Sequence, residues 1–202
     1  MPKYYDKLIN NRKRITLTFD DGPHKVHTSK ILNILKNYDI SATFFIVGEN
    51  LAVKNLKVIE KIKKSGHEIG NHSFDHSKLT TLNKKQIESQ ISKTHKLLIK
   101  YFEKCDFFRP PYGASNQLVK SVIANYGYEE IMWNVDTLDW KDRNKKWVTN
   151  GISQINKRAD SLVLLHDIHK STAEHLELFI KKILLHKKTD FVSLKEFNNP
   201  VT

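Results

Sequence analysis

The stretch that decides the fold is Ile15–Pro23, which reads ITLTFDDGP. Its apolar and β-branched first part predicts a buried strand over Ile15–Phe19. The strand runs directly into two carboxylates, Asp20 and Asp21, and then into a Gly-Pro turn. Adjacent carboxylates are costly to bury unless a cation holds one of them. The pair therefore belongs either to a solvated turn or to a charged site at a strand end.

The rest of the chain repeats this alternation of short apolar runs with longer amphipathic ones. The further predicted strands are Ala42–Val47, Glu68–Asn71, Phe107–Arg109, Tyr128–Val135, Ser161–His166 and Phe191–Leu194. The predicted helices are Thr28–Tyr38, Leu51–Lys64 closed by Gly66, an Asn83-capped helix with Gln86 in a capping box running to about Glu103, a Ser115-capped helix ending at Gly127, Lys146–Lys157, and about Thr172 to Lys187. Strand–helix alternation predicts a parallel sheet with helices outside. A closed barrel of this type takes about 250 residues, so a chain of 202 residues favours a trimmed or irregular, barrel-like α/β domain.

Composition narrows the possible partners. The net charge of +12 favours polyanions, but the lysines are spread over helices and no basic patch with interleaved aromatics occurs. We therefore expect no nucleic acid partner and assign most of the charge to solvated helix faces, with attraction to an anionic cell wall as a further effect. The single cysteine, Cys105, excludes an internal disulfide and is expected to pack as a small apolar residue.

The sequence leaves the cellular compartment open. No segment approaches the roughly 18 consecutive apolar residues of a membrane span. The first residues, MPKYYDKLINNRKR, lack the apolar core and cleavage site of a secretory signal. The protein is either cytoplasmic or, if a leader was removed, located in the cell envelope or outside the cell. We expect a monomer.

Polar side chains follow the predicted strands at their carboxyl ends. They are Asp20, Asp21, His72, His76, Arg109, Asp136, Asp139 and His166. Because the carboxyl ends of barrel strands share one mouth, these residues are expected to converge. His72 and His76 are four apart, so both imidazoles can face one ion if the segment turns helically. A carboxylate from Asp20 or Asp21 would complete a three-ligand hydrolytic metal site; the alternative is a pair of surface histidines.

Five ordered segments resemble the motifs of the NodB-type polysaccharide deacetylases, carbohydrate esterase family 4. They are Thr18–Pro23 (TFDDGP), His72–His76 (HSFDH), Arg109–Gly113 (RPPYG), Asp136–Trp140 (DTLDW) and Leu164–Asp167 (LLHD). The resemblance covers about residues 14–195 of a single domain spanning 1–202. It implies an α/β fold, a single-domain distorted (β/α) barrel with parallel strands.

The resemblance also implies roles for the polar residues at the barrel mouth. Asp20 matches the catalytic base, and Asp21, His72 and His76 match the ligands of one divalent metal. Arg109 matches the arginine that holds the base. Zinc is the metal expected for such a ligand set, with cobalt, nickel or manganese as alternatives.

The remaining matched positions concern the acid and the substrate. Tyr112 matches the residue whose backbone N–H contributes to the oxyanion hole. His166 matches the catalytic acid, and Asp139 matches the carboxylate that orients it. Trp140 and Leu164 match the apolar walls that receive the acetyl methyl group. Asp136 stays outside this set, and nothing assigns a role to His24, His67 or His169.

The implied activity is metal-dependent removal of N-acetyl groups from a glycan that contains N-acetylglucosamine, with peptidoglycan favoured over chitin oligomers. Two other reactions stay open at this point, hydrolysis of O-acetyl esters on a polysaccharide such as xylan and hydrolysis of a small non-glycan amide. A non-catalytic glycan-binding module is disfavoured, because no catalytic position is substituted.

Overall fold

Strands and helices alternate along the chain in a computed structural model that describes residues 12–51, 55–141, 144–185 and 188–198. The strands are β1 Lys13–Asp20, β2 Ala42–Ile46, β3 Glu68–Asn71, β4 Phe107–Phe108, β5 Glu129–Glu130, β6 Val135–Asp136, β7 Ser161–His166 and β8 Thr189–Phe191. The helices are α1 His27–Asn37, α2 Leu56–Lys64, α3 Lys84–Leu98, α4 Gln117–Asn125, α5 Lys146–Asn156, α6 Lys170–Leu184 and α7 Leu194–Asn198. Short 3₁₀ turns lie at Gly48–Asn50, Leu79–Thr81 and Pro111–Gly113.

All the strand pairings are parallel, and they build one curled sheet in the order β5-β4-β3-β2-β1-β7-β6. The first residues of β1 also pair with β8. Among the described strands, β5 and β6 end the sheet and no ladder joins them, so the barrel is open on that side. The predicted distorted (β/α) barrel is confirmed. Within the described ranges, no helix has the length and apolar character that a membrane crossing needs.

Side chains alternate along β1 between the apolar core and the opposite face, which carries Asp20. Ile15, Leu17 and Phe19 belong to the main apolar cluster, together with residues of α1 and α6. The alternate residues face the opposite side, where Thr18 and Asp20 both contact the guanidinium of Arg109. Both faces of the strand are buried, as is usual for a parallel sheet covered by helices.

Two local signals of the sequence are confirmed. Asn83 and Gln86 form the reciprocal capping box at the start of α3, which is worth about 1 kcal/mol for such a cap. Gly66 follows α2 in the left-handed region, with a φ of 69°. One cap was wrongly placed: the side chain of Asn116, not Ser115, accepts from the backbone N–H of Val119 at the start of α4.

The predicted strand Tyr128–Val135 is wrong as a single element. It is divided into β5 and β6, because the carbonyl oxygens of Ile131 and Met132 accept hydrogen bonds from the side chain of Arg109 instead of joining a ladder. The predicted strand Phe191–Leu194 is also shifted, since Phe191 ends β8 and Leu194 begins α7.

The remaining differences are at element ends, where assignments ordinarily vary. Helix α3 ends at Leu98 instead of about Glu103, and α6 runs from Lys170 to Leu184. Residues 52–54, within the predicted helix Leu51–Lys64, and residues 186–187, at the predicted end of α6, lie outside the described part of the chain.

Candidate active site

Three side chains from two strand ends form a cluster suited to a metal ion. The Oδ1 atom of Asp21, just after β1, lies 3.4 Å from Nε2 of His72 and 3.2 Å from Nε2 of His76. The three potential ligand atoms all lie within 4.8 Å of one another. One carboxylate and two imidazoles leave coordination positions for water and substrate, as hydrolytic metal sites require.

The protonation pattern of these residues fits a divalent cation. Among the described residues, the buried Oδ1 atom of Asp21 has no hydrogen-bond partner. Burial on its own would raise the pKa of Asp21, but the nearby His72, His166 and His76 outweigh it and lower that pKa to about 2. Nδ1 of His72 lies 2.6 Å from the carbonyl oxygen of Arg109, so the ring proton sits there and the lone pair of Nε2 faces the cluster. Metal binding needs an ionised carboxylate and a free ring lone pair, and these positions of Asp21 and His72 can supply both.

The segment between the two histidines is a loop and not the helical turn that their spacing suggested. His76 and Ser73 have φ angles of 61° and 65°, and Asp21 has one of 74°. Such left-handed residues cost on the order of 1–3 kcal/mol each and need support from their surroundings. Part of the support is the side chain of Asn71, whose Oδ1 accepts from the backbone N–H of Ser73.

Asp20 lies beside the cluster and is held by a buried arginine. Its Oδ1 is 2.7 Å from Nη1 of Arg109, while its Oδ2 is 3.7 Å from Nε2 of His72. One carboxylate oxygen is therefore fixed by Arg109, and the other faces the cluster of potential metal ligands. A carboxylate in this place can accept a proton from water at the cluster.

Arg109 follows β4 and is completely buried. Besides Asp20, its guanidinium contacts Thr18 Oγ1 at 2.8 Å and stacks over the ring of Phe45 at 4.1 Å. Burial lowers the pKa of Arg109, although the charge and hydrogen bond of Asp20 oppose that effect. Because arginine keeps its charge in proteins, this is a buried ion pair whose two partners depend on each other.

A second buried pair stands across the mouth at the end of β7. Nδ1 of His166 lies 2.8 Å from Oδ1 of Asp139, and the other carboxylate oxygen accepts from the His166 backbone N–H at 2.8 Å and from Thr172 Oγ1 at 2.6 Å. Burial would lower the pKa of His166, but the hydrogen bond and charge of Asp139, with the charges of Asp20 and Asp21, raise it to about 9. His166 is therefore a protonated imidazole at neutral pH and can donate a proton.

The other predicted site residues, Tyr112, Leu164 and Trp140, differ in exposure. Tyr112, a residue 68% exposed, has a left-handed backbone with φ 60°, and its ring centroid lies 4.6 Å from that of His76. Leu164 is buried two residues before His166, so it lies on the same face of β7. Trp140, next to Asp139, is 52% exposed.

Two supporting residues were not singled out from the sequence. Thr18 precedes Asp20 by two positions on a strand, so alternation would have placed both on one face. Thr172 lies 33 residues from Asp139, and no local signal predicts that contact.

The fold and the site together define a (β/α)-barrel protein with a candidate His₂Asp metal centre of the type found in hydrolases. Residues 7–131 match the polysaccharide deacetylase family. The chain belongs to that family. The solved structures similar to it include a family 4 carbohydrate esterase from Streptomyces lividans.

Named relatives include two curated proteins and one solved structure. The chain is 39% identical to peptidoglycan-N-acetylglucosamine deacetylase PgdA of Listeria monocytogenes, covering 91% of this chain and 38% of the relative. It is 38% identical to peptidoglycan-N-acetylmuramic acid deacetylase PdaC of Bacillus subtilis, covering 86% of this chain and 36% of the relative. The structure of T48 deacetylase with substrate has a TM-score of 0.84 at 32% identity, covering 95% of this chain and 93% of that one. The chain thus spans less than two fifths of the length of these two curated relatives.

Proposed function

We propose that this protein is a metal-dependent deacetylase that hydrolyses N-acetyl groups of a glycan containing N-acetylglucosamine. The observation that carries the proposal is the placement of Asp20, held by Arg109, and His166, held by Asp139, beside one cluster of metal-ligand type. A carboxylate base and an imidazolium acid are the two oppositely tuned groups that amide hydrolysis needs.

Peptidoglycan is the favoured glycan in this proposal, ahead of chitin oligomers. The two curated relatives are named for deacetylation of N-acetylglucosamine and of N-acetylmuramic acid in peptidoglycan. A net charge of +12 suits an anionic wall. The protein would then act at the cell envelope, as a monomer, with residues 1–202 as one deacetylase domain whose core is about 14–195.

Asp21, His72 and His76 would hold one divalent cation, with zinc as the first choice and cobalt, nickel or manganese as alternatives. When bound, such an ion lowers the pKa of water and polarises a carbonyl oxygen.

Asp20 acts as the base in the proposed mechanism. Its free Oδ2 faces the ligand cluster, and the buried Arg109 fixes the direction of the carboxylate. Asp20 takes the proton of the attacking water, a contribution of typically 10²–10⁴-fold to the rate.

His166 acts as the acid that protonates the departing sugar amine. Asp139 accepts from Nδ1 of His166, which leaves the Nε2–H to donate at the mouth. Since the amine is a poor leaving group without that proton, a pKa raised to about 9 keeps the acid charged at the working pH.

Three further residues receive the acetyl group. The backbone N–H of Tyr112, in a left-handed turn beside His76, helps to stabilise the oxyanion. Leu164, on the face of β7 that carries His166, and Trp140, beside Asp139, form the apolar walls around the acetyl methyl group.

The experiment that tests the proposal is acetate release from N-acetylglucosamine oligomers and from peptidoglycan. Metal-stripped enzyme is compared with and without Zn²⁺ or Co²⁺, beside Asp20→Asn, which keeps the three proposed ligands. Metal-dependent release that is lost in Asp20→Asn is the expected result. Binding of metal without release from any glycan would contradict the proposal and direct the search to acetyl esters or small amides.

A further inference from the structure

Side chains on one face of helix α3 form hydrogen bonds with the loop that carries both histidines of the metal cluster. Gln90 Oε1 accepts the backbone N–H groups of Phe74 and Asp75 at 2.9 and 3.1 Å, and Gln90 Nε2 donates to Asp75 Oδ2 at 2.7 Å. One turn later, Thr94 Oγ1 donates to the carbonyl oxygen of Ser73 at 2.8 Å. Residues four apart on a helix present side chains to the same surface, so α3 holds three consecutive loop residues.

The contacts from α3 add to hydrogen bonds that the Ser73 and Phe74 carbonyl oxygens accept from the backbone N–H groups of Gly48 and Glu49. The loop has left-handed residues at Ser73 and His76, which persist only where the surroundings fix them. The N–H groups of Phe74 and Asp75 point to a single acceptor from α3. If the contacts of the Gln90 amide with Phe74 and Asp75 are disturbed, the loop can relax and carry the imidazole of His76 away from Asp21.

We propose that Gln90 is a positioning residue of the metal centre: its amide clamps the loop through Asp75 and thereby sets the affinity of Asp21, His72 and His76 for the ion. The inference rests on the metal role assigned under the proposed function. Gln90 lies outside the five sequence motifs and touches none of the three ligand side chains in the contacts described. Groups that orient ligands in this way typically change metal affinity by 10–100-fold when altered.

In the contact between Gln90 and Asp75, Gln90 donates and Asp75 accepts. The proposal can therefore be tested by exchanging the donor and the acceptor between the two residues. Gln90→Glu keeps the oxygen that accepts from the loop N–H groups but turns the donor to Asp75 into a second carboxylate oxygen, which the Asp75 carboxylate repels. Asp75→Asn keeps Oδ1, which accepts from the N–H of Ser77, and sets two amide donors against each other. The double variant Gln90→Glu/Asp75→Asn restores one donor and one acceptor with the direction reversed.

Metal affinity is measured on the metal-loaded protein by chelator competition with Zn²⁺, and by the visible absorption of the Co²⁺ form. Each single variant is expected to bind at least about tenfold more weakly and to change the Co²⁺ spectrum, while the double variant returns to within about threefold of the parent. Gln86→Glu is the matched control, since it places the same charge on the same helix and keeps the capping box. Its affinity is expected to equal that of the parent.

Equal affinities for Gln90→Glu and Gln86→Glu, or a double variant no tighter than the single ones, would overturn the proposal. A change in melting temperature without a change in affinity would assign Gln90 a purely structural role and overturn it as well. The affinity ratios do not depend on turnover. An enzyme that releases no acetate but shows the reciprocal rescue would therefore contradict only the proposed reaction.

Discussion

Nδ1 of His72 lies 2.6 Å from the main-chain carbonyl oxygen of Arg109, and the side chain of the same arginine lies 2.7 Å from Asp20. One buried residue at the end of β4 therefore orients both a proposed metal ligand and the proposed base. The backbone of Arg109 is fixed in turn, because its N–H donates to the carbonyl oxygen of Asn71 at the end of β3. The relative placement of ligand and base is thus set by the pairing of neighbouring strands.

Arg109→Met is expected to destabilise the fold as well as to abolish activity. The substitution leaves the carboxylate of Asp20, 3% exposed, buried without its cation, and breaking a buried ion pair costs about 3–5 kcal/mol. Urea unfolding measures the change. The double variant Arg109→Met/Asp20→Asn removes both charges and is expected to lose clearly less than the sum of the single effects. Strict additivity would contradict the ion pair as the cause.

Asp139→Asn is expected to shift the pH dependence of acetate release. The proposed acid works while His166 is protonated, so activity is lost as pH rises through its pKa, which the structure places at about 9. Removing the charge of Asp139 lowers that pKa, by about one unit or more for a lost neighbouring charge. The loss of activity should therefore be larger at pH 8 than at pH 6. An unshifted basic limb in the kcat profile would argue against His166 as the acid.

Much of the fold could be predicted because it depends on local patterns. The apolar runs of β2 and β7 and the capping signals of Asn83 and Gly66 were placed to within about a residue. The division between β5 and β6 could not be predicted, because the carbonyl oxygens of Ile131 and Met132 accept hydrogen bonds from Arg109, which lies 22 or 23 residues earlier in the chain.

The residues of the candidate site could be proposed from the sequence, but the geometry that brings them together could not. The spacing of His72 and His76 suggested a helical turn, whereas left-handed residues bring the two rings together. Their support comes from Gln90 and Thr94 on a helix that begins eight residues after His76. Such contacts depend on how α3 packs and are not encoded in the loop itself.

Metal is expected to stabilise the folded protein through Asp21. A ligand present at 100 times its Kd adds about 2.7 kcal/mol to the free energy of unfolding. Thermal unfolding with and without Zn²⁺ should show a rise in melting temperature for the parent and a much smaller rise for Asp21→Asn. Without metal, Asp21→Asn should be less stable than the parent at neutral pH, because the neighbouring histidines favour the ionised carboxylate in the fold and lower its pKa to about 2. Equal rises for both proteins would argue against Asp21 as a ligand.

Trp140→Ala is expected to separate substrate recognition from stability. The side chain is 52% exposed, and substitutions at such surface positions usually change stability by no more than about 0.5 kcal/mol. A loss of one apolar wall should instead lower kcat/KM for acetylated substrate severalfold while metal affinity stays unchanged. Unaltered kcat/KM would remove Trp140 from the proposed acetyl pocket.

His67, at the start of β3 and away from the site, is expected to make the fold sensitive to acid. Burial lowers its pKa from the ordinary 6.5 to about 4, so between these values the unfolded chain binds a proton that the folded protein does not. Stability therefore falls as pH drops from 6.5 towards 4, by about 2 kcal/mol from this group between pH 7 and pH 5. His67→Gln, which offers an oxygen for the N–H of Ala42 now held by Nδ1, should lose less stability over that interval. Urea unfolding of both proteins at the two pH values decides the matter, since equal losses would exclude His67 as the source.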